Sequence, residues 1–265
     1  MNSNANHSER TIIAIAGEGV RSFLQGLITN DVDKLAPGAP LFASLLTPQG
    51  KILFDFFLFD SDETVFADIR AEHAETFAKR LKLYKLRAKI TIEPRPDLAV
   101  ITNATPKAGL TGGPDPRHAD LGWRGLVVGQ DAISDDAYST RRIALGVPEF
   151  GVDFEPESVF PMDVNADALN GVDYKKGCFV GQEVASRMKR KGAVRKRTLI
   201  AQIDGAAPAK GADIKAGGST IGETFGVGLA LIRLDRWDKA KDAGAQPTCD
   251  GASVAIATPS YLEDT

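Results

Sequence analysis

The segment 175–183, which reads KKGCFVGQE, contains one of the two cysteines of the chain, Cys178. A helix is predicted from about 181 to 189, so the thiol would lie near a helix N-terminus, where unpaired N–H groups favour an anion. The adjacent Lys175 and Lys176 add positive charge, and both effects favour the thiolate, which is the nucleophile and the metal ligand. The alternative is a structural cysteine on a loop that needs Gly177 and Gly181 only for its turn.

The same segment carries a resemblance to a known family. It resembles the signature of the YgfZ family of folate-binding proteins, which reads Lys-Gly-Cys, an aromatic residue, any residue, then Gly-Gln-Glu. The matching residues are Lys176, Gly177, Cys178, Phe179, Gly181, Gln182 and Glu183. Further likenesses, FLQGLITNDV, TPQGKILFDFFLF, RRIALGVPEFG and GLALIRLDR, extend the resemblance over nearly the whole chain. It implies a fold like that of the T-protein of the glycine cleavage system and a role in the assembly or repair of iron–sulfur proteins.

Apolar and alternating runs separated by turn residues predict a mixed α and β protein. Strands are predicted at 11–16 and 64–69, a hairpin at 41–46 and 52–59, helices at 18–28 and 71–86, and a loop at 105–117. From about residue 196 the chain changes to short β-like runs spaced by Gly and Pro, which is typical of a small barrel or sandwich.

The T-protein resemblance implies an α+β fold in which interlocked ferredoxin-like units surround a central cavity and a small C-terminal β-barrel follows. We expect a flexible N-terminus over 1–10, a T-protein-like folate-binding body over 11–194 and the barrel over 195–265.

The resemblance also implies tetrahydrofolate, free or polyglutamylated, as a ligand. Such a ligand needs an apolar slot, a polar group at the pterin edge and cations for the glutamate tail. The expected binding residues are Asp55, Phe57, Arg142, Lys176, Gly177, Gln182, Glu183 and Arg187. Phe57 would form part of an aromatic wall, with plain core as the alternative, and Arg142 aligns with a T-protein arginine near the folate tail.

Two departures from T-protein bear on the reaction. The segment GKILFDFFLF resembles a T-protein segment with two consecutive aspartates, but Phe54 replaces the first and only Asp55 remains. The T-protein stretch Gly-Tyr-Thr-Gly-Glu, whose glutamate holds the pterin, has no counterpart. Both departures put aminomethyl transfer in doubt and favour an accessory factor over an enzyme. A folate-dependent one-carbon transferase and a tRNA-modification accessory protein remain as alternatives.

A basic run, RMKRKGAVRKR, occupies residues 187–197 of a chain whose net charge is −3. A cluster this dense could face the carboxylates of a polyglutamylated folate, an RNA backbone or an acidic partner protein. The alternative is a solvated linker. Few aromatic residues are interleaved with the cations, so stacking of single-stranded bases is not indicated.

The few potential metal ligands exclude a resident metal site of the usual kinds. The chain has three histidines and two cysteines without zinc-site spacing, whereas an iron–sulfur cluster within one chain typically takes four cysteines. Cys178 could therefore ligate a cluster only transiently or together with a partner, and the expected partners are iron–sulfur assembly proteins or client enzymes. With no disulfide framework, signal peptide or spanning segment, we expect a cytoplasmic protein without a membrane partner.

Overall fold

The computed structural model describes residues 9–61, 63–105, 111–129, 137–190 and 194–263. Residues 1–8 of the expected flexible N-terminus lie outside the described residues. Arg10, the last residue of that expected segment, is buried and begins the first strand. That strand is anchored because its register with a neighbouring strand places Arg10 beside the Asp68 carboxylate.

The N-terminal part of the body is a five-stranded antiparallel sheet with two helices. Its strands run in the order β2-β3-β4-β1-β5. The strands are β1 (Arg10–Ala16), β2 (Leu41–Leu46), β3 (Ile52–Ser61), β4 (Thr64–Arg70) and β5 (Thr91–Pro94), and the helices are α1 (Val20–Gln25) and α2 (Ala74–Lys85). The predicted β2–β3 hairpin is confirmed. Helix α1 is shorter than predicted because the chain turns at Gly26, while its Val20 and Leu24 still face the core.

Strand β3 has two buried faces that differ in chemistry. Since side chains alternate along a strand, Phe54 and Phe56 lie on one face, where both rings contact Phe77 of α2 at centroid distances of 5.5 and 5.0 Å. The opposite face carries Asp55 and Phe57. This second face therefore carries the two residues of β3 that were expected to bind folate.

A second, three-stranded sheet completes the body with the order β6-β8-β7. Its strands are β6 (Leu98–Asn103), β7 (Thr111–Pro114) and β8 (Trp123–Val128), and helix α3 (Tyr138–Ala144) follows. The prediction of a loop over 105–117 is wrong at β7, while 106–110 lies outside the described residues. The strand is possible because a Cβ on Gly113 would lie 1.9 Å from the Gly38 carbonyl oxygen, an approach that only glycine permits.

The C-terminal part is a closed β-barrel of six strands, in the order β10-β11-β12-β9-β14-β13, with β13 pairing back to β10. The strands are β9 (Lys196–Ile203), β10 (Asp213–Ala216), β11 (Ser219–Thr224), β12 (Leu229–Arg233), β13 (Thr248–Cys249) and β14 (Ala252–Ala257). Helix α4 (Gln182–Arg190) precedes the barrel and α5 (Leu234–Asp242) follows β12. Cys249 lies in β13 and is buried in the barrel core.

None of the helices in the described part of the chain has both the length and the apolar character needed to cross a membrane. The division of the chain at residue 195 stays a prediction, as does the function assigned to the body.

Candidate functional site

Cys178 is exposed and lies four residues before the first residue of α4. The chain immediately before it is fixed by Lys176, whose buried ammonium donates to the carbonyl oxygens of Gln25, Ile28 and Asn30 at 2.7, 2.7 and 2.8 Å. Burial lowers the pKa of Lys176 to about 8, so its charged form still predominates at neutral pH. Through these three hydrogen bonds Lys176 anchors the loop.

Asp173 holds the same loop from the other side. Its carboxylate accepts hydrogen bonds from the backbone N–H groups of Lys175 and Lys176 at 2.6 and 3.2 Å. It also pairs with Lys34 at 2.6 Å, and this bond is the main cause of the lowered pKa of Asp173. Phe179 on the far side of the cysteine is buried in the main core. The thiol is therefore exposed between residues that are fixed in place.

The N-terminus of α4 packs directly against the turn of the β2–β3 hairpin. Gly181 has φ +78°, and a Cβ there would lie 2.6 Å from the carbonyl oxygen of Thr47. Gly50 in the hairpin turn has φ +82°, and its Cβ would lie 2.8 Å from Cβ of Val184. The two glycines let hairpin and helix touch, and this contact determines where the segment containing Cys178 leaves the core.

Gly177 behaves differently from Gly181. It is exposed, and a Cβ built on it would have no atom within 4 Å. Since neither packing nor a positive φ requires glycine here, the alternative in which the loop needs Gly177 only for its turn gains no support. A glycine beside an exposed thiol leaves the backbone open to close approach by another molecule.

Within the described residues, part of the basic run is already engaged by other side chains. Glu183 and Arg187 are exposed on α4, and the ammonium of Lys189 lies 4.2 Å from the ring centroid of Tyr174. Arg197 instead pairs with Asp167 at 2.5 Å. Lys191 lies outside the described residues. The cations that remain free for a ligand are thus mainly those on α4.

Asp55 and Phe57 do not belong to this exposed site, because both are buried in the body. The space beside Asp55 has a volume of about 10 Å³, room for a single water molecule. Its lining includes Phe42, Arg117 and Phe154. Burial, reinforced by Glu149, raises the pKa of Asp55 to about 7. Tetrahydrofolate does not fit here, since ligand pockets of that class measure roughly 300 Å³ or more.

Phe57, expected in the aromatic wall of a folate site, lies within a buried ionic cluster. Three guanidinium groups surround the ring of Phe57, with Arg124 at 3.9 Å, Arg117 at 4.7 Å and Arg10 at 5.5 Å from its centroid. The acidic and phenolic members are Asp68, Asp115, Glu149 and Tyr138. This cluster was not predicted from the sequence. The sequence feature that could have indicated it is an isolated charge within an apolar strand, such as Arg124 in WRGLVV.

The ion pairs of the cluster are close and mutually supporting. Arg124 pairs with Asp68 at 2.7 Å, and Arg117 pairs with Asp115 at 2.9 Å and with Glu149 at 3.2 Å. Although burial opposes ionisation, the surrounding arginines, Arg117 foremost, hold the pKa of Glu149 well below its usual range. Paired and hydrogen-bonded charges of this kind can be buried without being neutralised.

Arg142 is not placed to bind a folate tail. Its buried guanidinium donates to Asp153 at 2.7 Å and to the carbonyl oxygen of Val147 at 3.2 Å. Asp153 also accepts from the backbone N–H of Glu149 at 2.7 Å, so Arg142 stabilises the chain after α3. The structure brings six predicted site residues together on one loop and helix: Lys176, Gly177, Cys178, Gln182, Glu183 and Arg187. It does not bring Asp55, Phe57 and Arg142 to them.

Comparison with known proteins supports the fold. Residues 195–264 match the family described as CAF17, C-terminal beta-barrel domain. The structure of the glycine cleavage system aminomethyltransferase T from Bartonella henselae superposes with a TM-score of 0.69, covering 97% of this chain and 85% of that chain at 14% identity. The T-protein-like fold with a C-terminal barrel is thereby confirmed. At this identity the likeness shows the fold alone.

Similarity to curated proteins decides the family. The human mitochondrial iron–sulfur cluster assembly factor IBA57 is 30% identical over an alignment of 293 positions, gaps included, that covers 94% of this chain and 81% of the human protein. The chain belongs to the IBA57 family. The IBA57 homologue of Neurospora crassa is also 30% identical, over 78% of this chain. Only 55% of the Neurospora protein is covered, so the chain spans little more than half the length of that relative.

The expected cytoplasmic location is wrong on this comparison. The IBA57 proteins of Homo sapiens, Mus musculus and Neurospora crassa are all mitochondrial by name. The expectation rested on the lack of a disulfide framework and of a signal peptide, and neither feature distinguishes one reducing compartment from another.

Proposed function

We propose that the protein is an iron–sulfur cluster assembly factor in which the Cys178 thiolate ligates a cluster shared with a partner protein. The observation that carries the proposal is the exposed thiol held between the buried anchors Lys176 and Phe179. A thiolate fixed in this way can meet a cluster carried by another molecule with little loss of conformational freedom. The IBA57 relatives, named as assembly factors, support the same assignment.

The chain supplies too few cysteine ligands to hold an iron–sulfur cluster without a partner. The described residues contain no group of three or more His, Cys, Asp or Glu side chains that could hold a metal ion. The second cysteine, Cys249, is buried in the barrel core, where burial raises its thiol pKa. A cluster bound at Cys178 therefore draws its remaining ligands from elsewhere, and the open backbone at Gly177 leaves room for the molecule that supplies them.

The proposal includes the resemblance of the Cys178 segment to the YgfZ signature. It is supported by the motif residues Lys176, Gly177, Cys178, Gln182 and Glu183, which lie on one loop and the helix that follows it. Tetrahydrofolate is left out of the proposal because the space beside Asp55 is too small for it. The space beside Asp55 likewise gives no support to the aminomethyl-type transferase alternative. The tRNA alternative loses part of its basis because Arg197 of the basic run is paired with Asp167.

The proposal is tested in a strain that lacks the gene, by measuring the activities of several iron–sulfur enzymes after complementation. Wild type and Cys249→Ala should restore the activities, whereas Cys178→Ala should not. Cys178→Ser preserves the size and exposure of the side chain but offers a poor ligand, so it should fail as well. Protein abundance is measured by immunoblot in each strain. Restoration by Cys178→Ala at normal abundance would refute the assignment.

A further inference from the structure

The C-terminal end of α2 presents a cluster of cations that the proposed function does not use. Between residues 76 and 92 the chain carries six basic side chains and no carboxylate, although its net charge is −3. The six are Lys79, Arg80, Lys82, Lys85, Arg87 and Lys89. Lys79 pairs with Glu75 at 2.6 Å. Among the described residues, the other five form no ion pair with a carboxylate.

Two large apolar side chains project from the middle of these cations. Leu83 is 70% exposed and Leu86 is 87% exposed, whereas Phe77 and Leu81 of the same helix are fully buried. The helix therefore has an apolar inner face and, at its end, a second apolar feature that faces solvent. We call Lys82, Leu83, Lys85, Leu86, Arg87 and Lys89 the α2 patch.

Leu86 is also held in an unusual backbone conformation. It ends α2 with φ 46° and ψ −108°, a region that residues with a Cβ rarely adopt. Glycine is the usual residue where a helix ends with positive φ. Here a leucine occupies the position and its side chain points to solvent, so neither burial nor backbone preference accounts for it.

The helix dipole accounts for only part of the charge. Cations in the last turn of a helix are stabilised by its C-terminus, which suffices for Lys82 and Lys85. Arg87 and Lys89 follow the end of the helix and are exposed. Their combination with two protruding leucines is the composition of surfaces that bind the interface of anionic lipid membranes, where cations attract headgroups and apolar side chains enter the acyl boundary.

We infer that the α2 patch docks the protein peripherally on an anionic lipid bilayer. A nucleic acid would use the cations but has no use for the leucines, and a stable protein interface takes roughly 800 Å² from each partner, more than two leucines offer. The expectation of no membrane partner rested on the lack of a spanning segment, which does not bear on surface binding.

The test is co-sedimentation of the full chain with vesicles of phosphatidylcholine, with or without phosphatidylglycerol. The protein should sediment with anionic vesicles only, and less so as salt rises. Replacing Lys82 and Arg87 by Glu should weaken binding by at least 25-fold, at about fivefold for each cation lost. Leu83→Ser with Leu86→Ser should weaken it by about tenfold or more at constant charge.

Matched variants elsewhere control for general charge and exposure. Lys239→Glu on α5 and Val227→Ser, at a residue 67% exposed, should bind vesicles as the wild type does. Circular dichroism confirms that each variant is folded. The inference is overturned if anionic vesicles fail to sediment the protein at low salt, or if the patch and control variants bind equally. It is also overturned if the patch variants lose binding to polyglutamate but keep binding to vesicles, which would assign the patch to an acidic protein.

Discussion

The ammonium of Lys176 lies 2.7 Å from the carbonyl oxygen of Ile28, a residue 148 positions earlier in the chain. Through this contact the loop containing Cys178 is held to the connection between α1 and β2. Lys176→Met keeps the length of the side chain but leaves three carbonyl oxygens without their donor. We expect a loss of about 1.5–3 kcal/mol in the free energy of unfolding, measured by urea denaturation. Lys175→Met, at the exposed neighbour, should change it by less than about 0.5 kcal/mol.

The two glycines that flank Cys178 should respond differently to alanine. Gly181→Ala forces a Cβ to within 2.6 Å of a carbonyl oxygen at φ +78°, so we expect a loss of about 2 kcal/mol or more. Gly177→Ala meets no atom within 4 Å and should leave the melting temperature nearly unchanged. Thermal denaturation of both variants measures the difference. Equal destabilisation would contradict the described packing of α4 on the hairpin.

Asp55 should make the protein less stable as pH rises. Its pKa is about 7 in the folded protein against an ordinary value of 3.8, so the folded state binds more protons between these values and loses this advantage as pH rises. Asp55→Asn removes the titration. Relative to wild type, the variant should gain stability between about pH 4 and pH 7 and keep a constant gain above that, on the order of 1–4 kcal/mol. Urea denaturation across this pH range checks the sign, and a gain that is independent of pH would contradict it.

Tetrahydrofolate should not raise the melting temperature of the purified protein. A ligand that binds only the folded state stabilises it by mass action. The space beside Asp55 has room for only a single water molecule, so we expect no such stabilisation. Differential scanning fluorimetry with free and polyglutamylated tetrahydrofolate measures this. A shift that is abolished by Phe57→Ala would show that the body opens around the ligand and would restore the folate prediction.

Local features of the sequence were enough to predict part of the fold. The β2–β3 hairpin follows from two apolar runs around a Pro-Gln-Gly turn, and the strands of the barrel follow from short runs spaced by Gly. The ionic cluster could not be predicted in this way. Its Arg10–Asp68 pair joins residues 58 positions apart through the pairing of β1 with β4, and its Arg117–Glu149 pair joins residues 32 positions apart, so neither pair shows in a local sequence pattern.

The candidate site could be predicted only as far as it is continuous in sequence. The motif around Cys178 lies on one loop and the start of one helix, so its residues stay neighbours in the structure. The prediction that Arg142 binds a folate tail depended on an alignment with T-protein. In this chain its guanidinium instead pairs with Asp153, eleven positions away.

Cluster binding at Cys178 is tested most directly by anaerobic incubation of the purified protein with ferric iron, sulfide and glutathione, whose thiol can supply the missing ligands. Gel filtration then removes the small molecules, and visible absorption with iron and sulfide analysis reports the bound cluster. Wild type and Cys249→Ala should retain a cluster and Cys178→Ala should not. Equal cluster content in Cys178→Ala and wild type, or none in the wild type, would contradict the proposal that this thiolate is a cluster ligand.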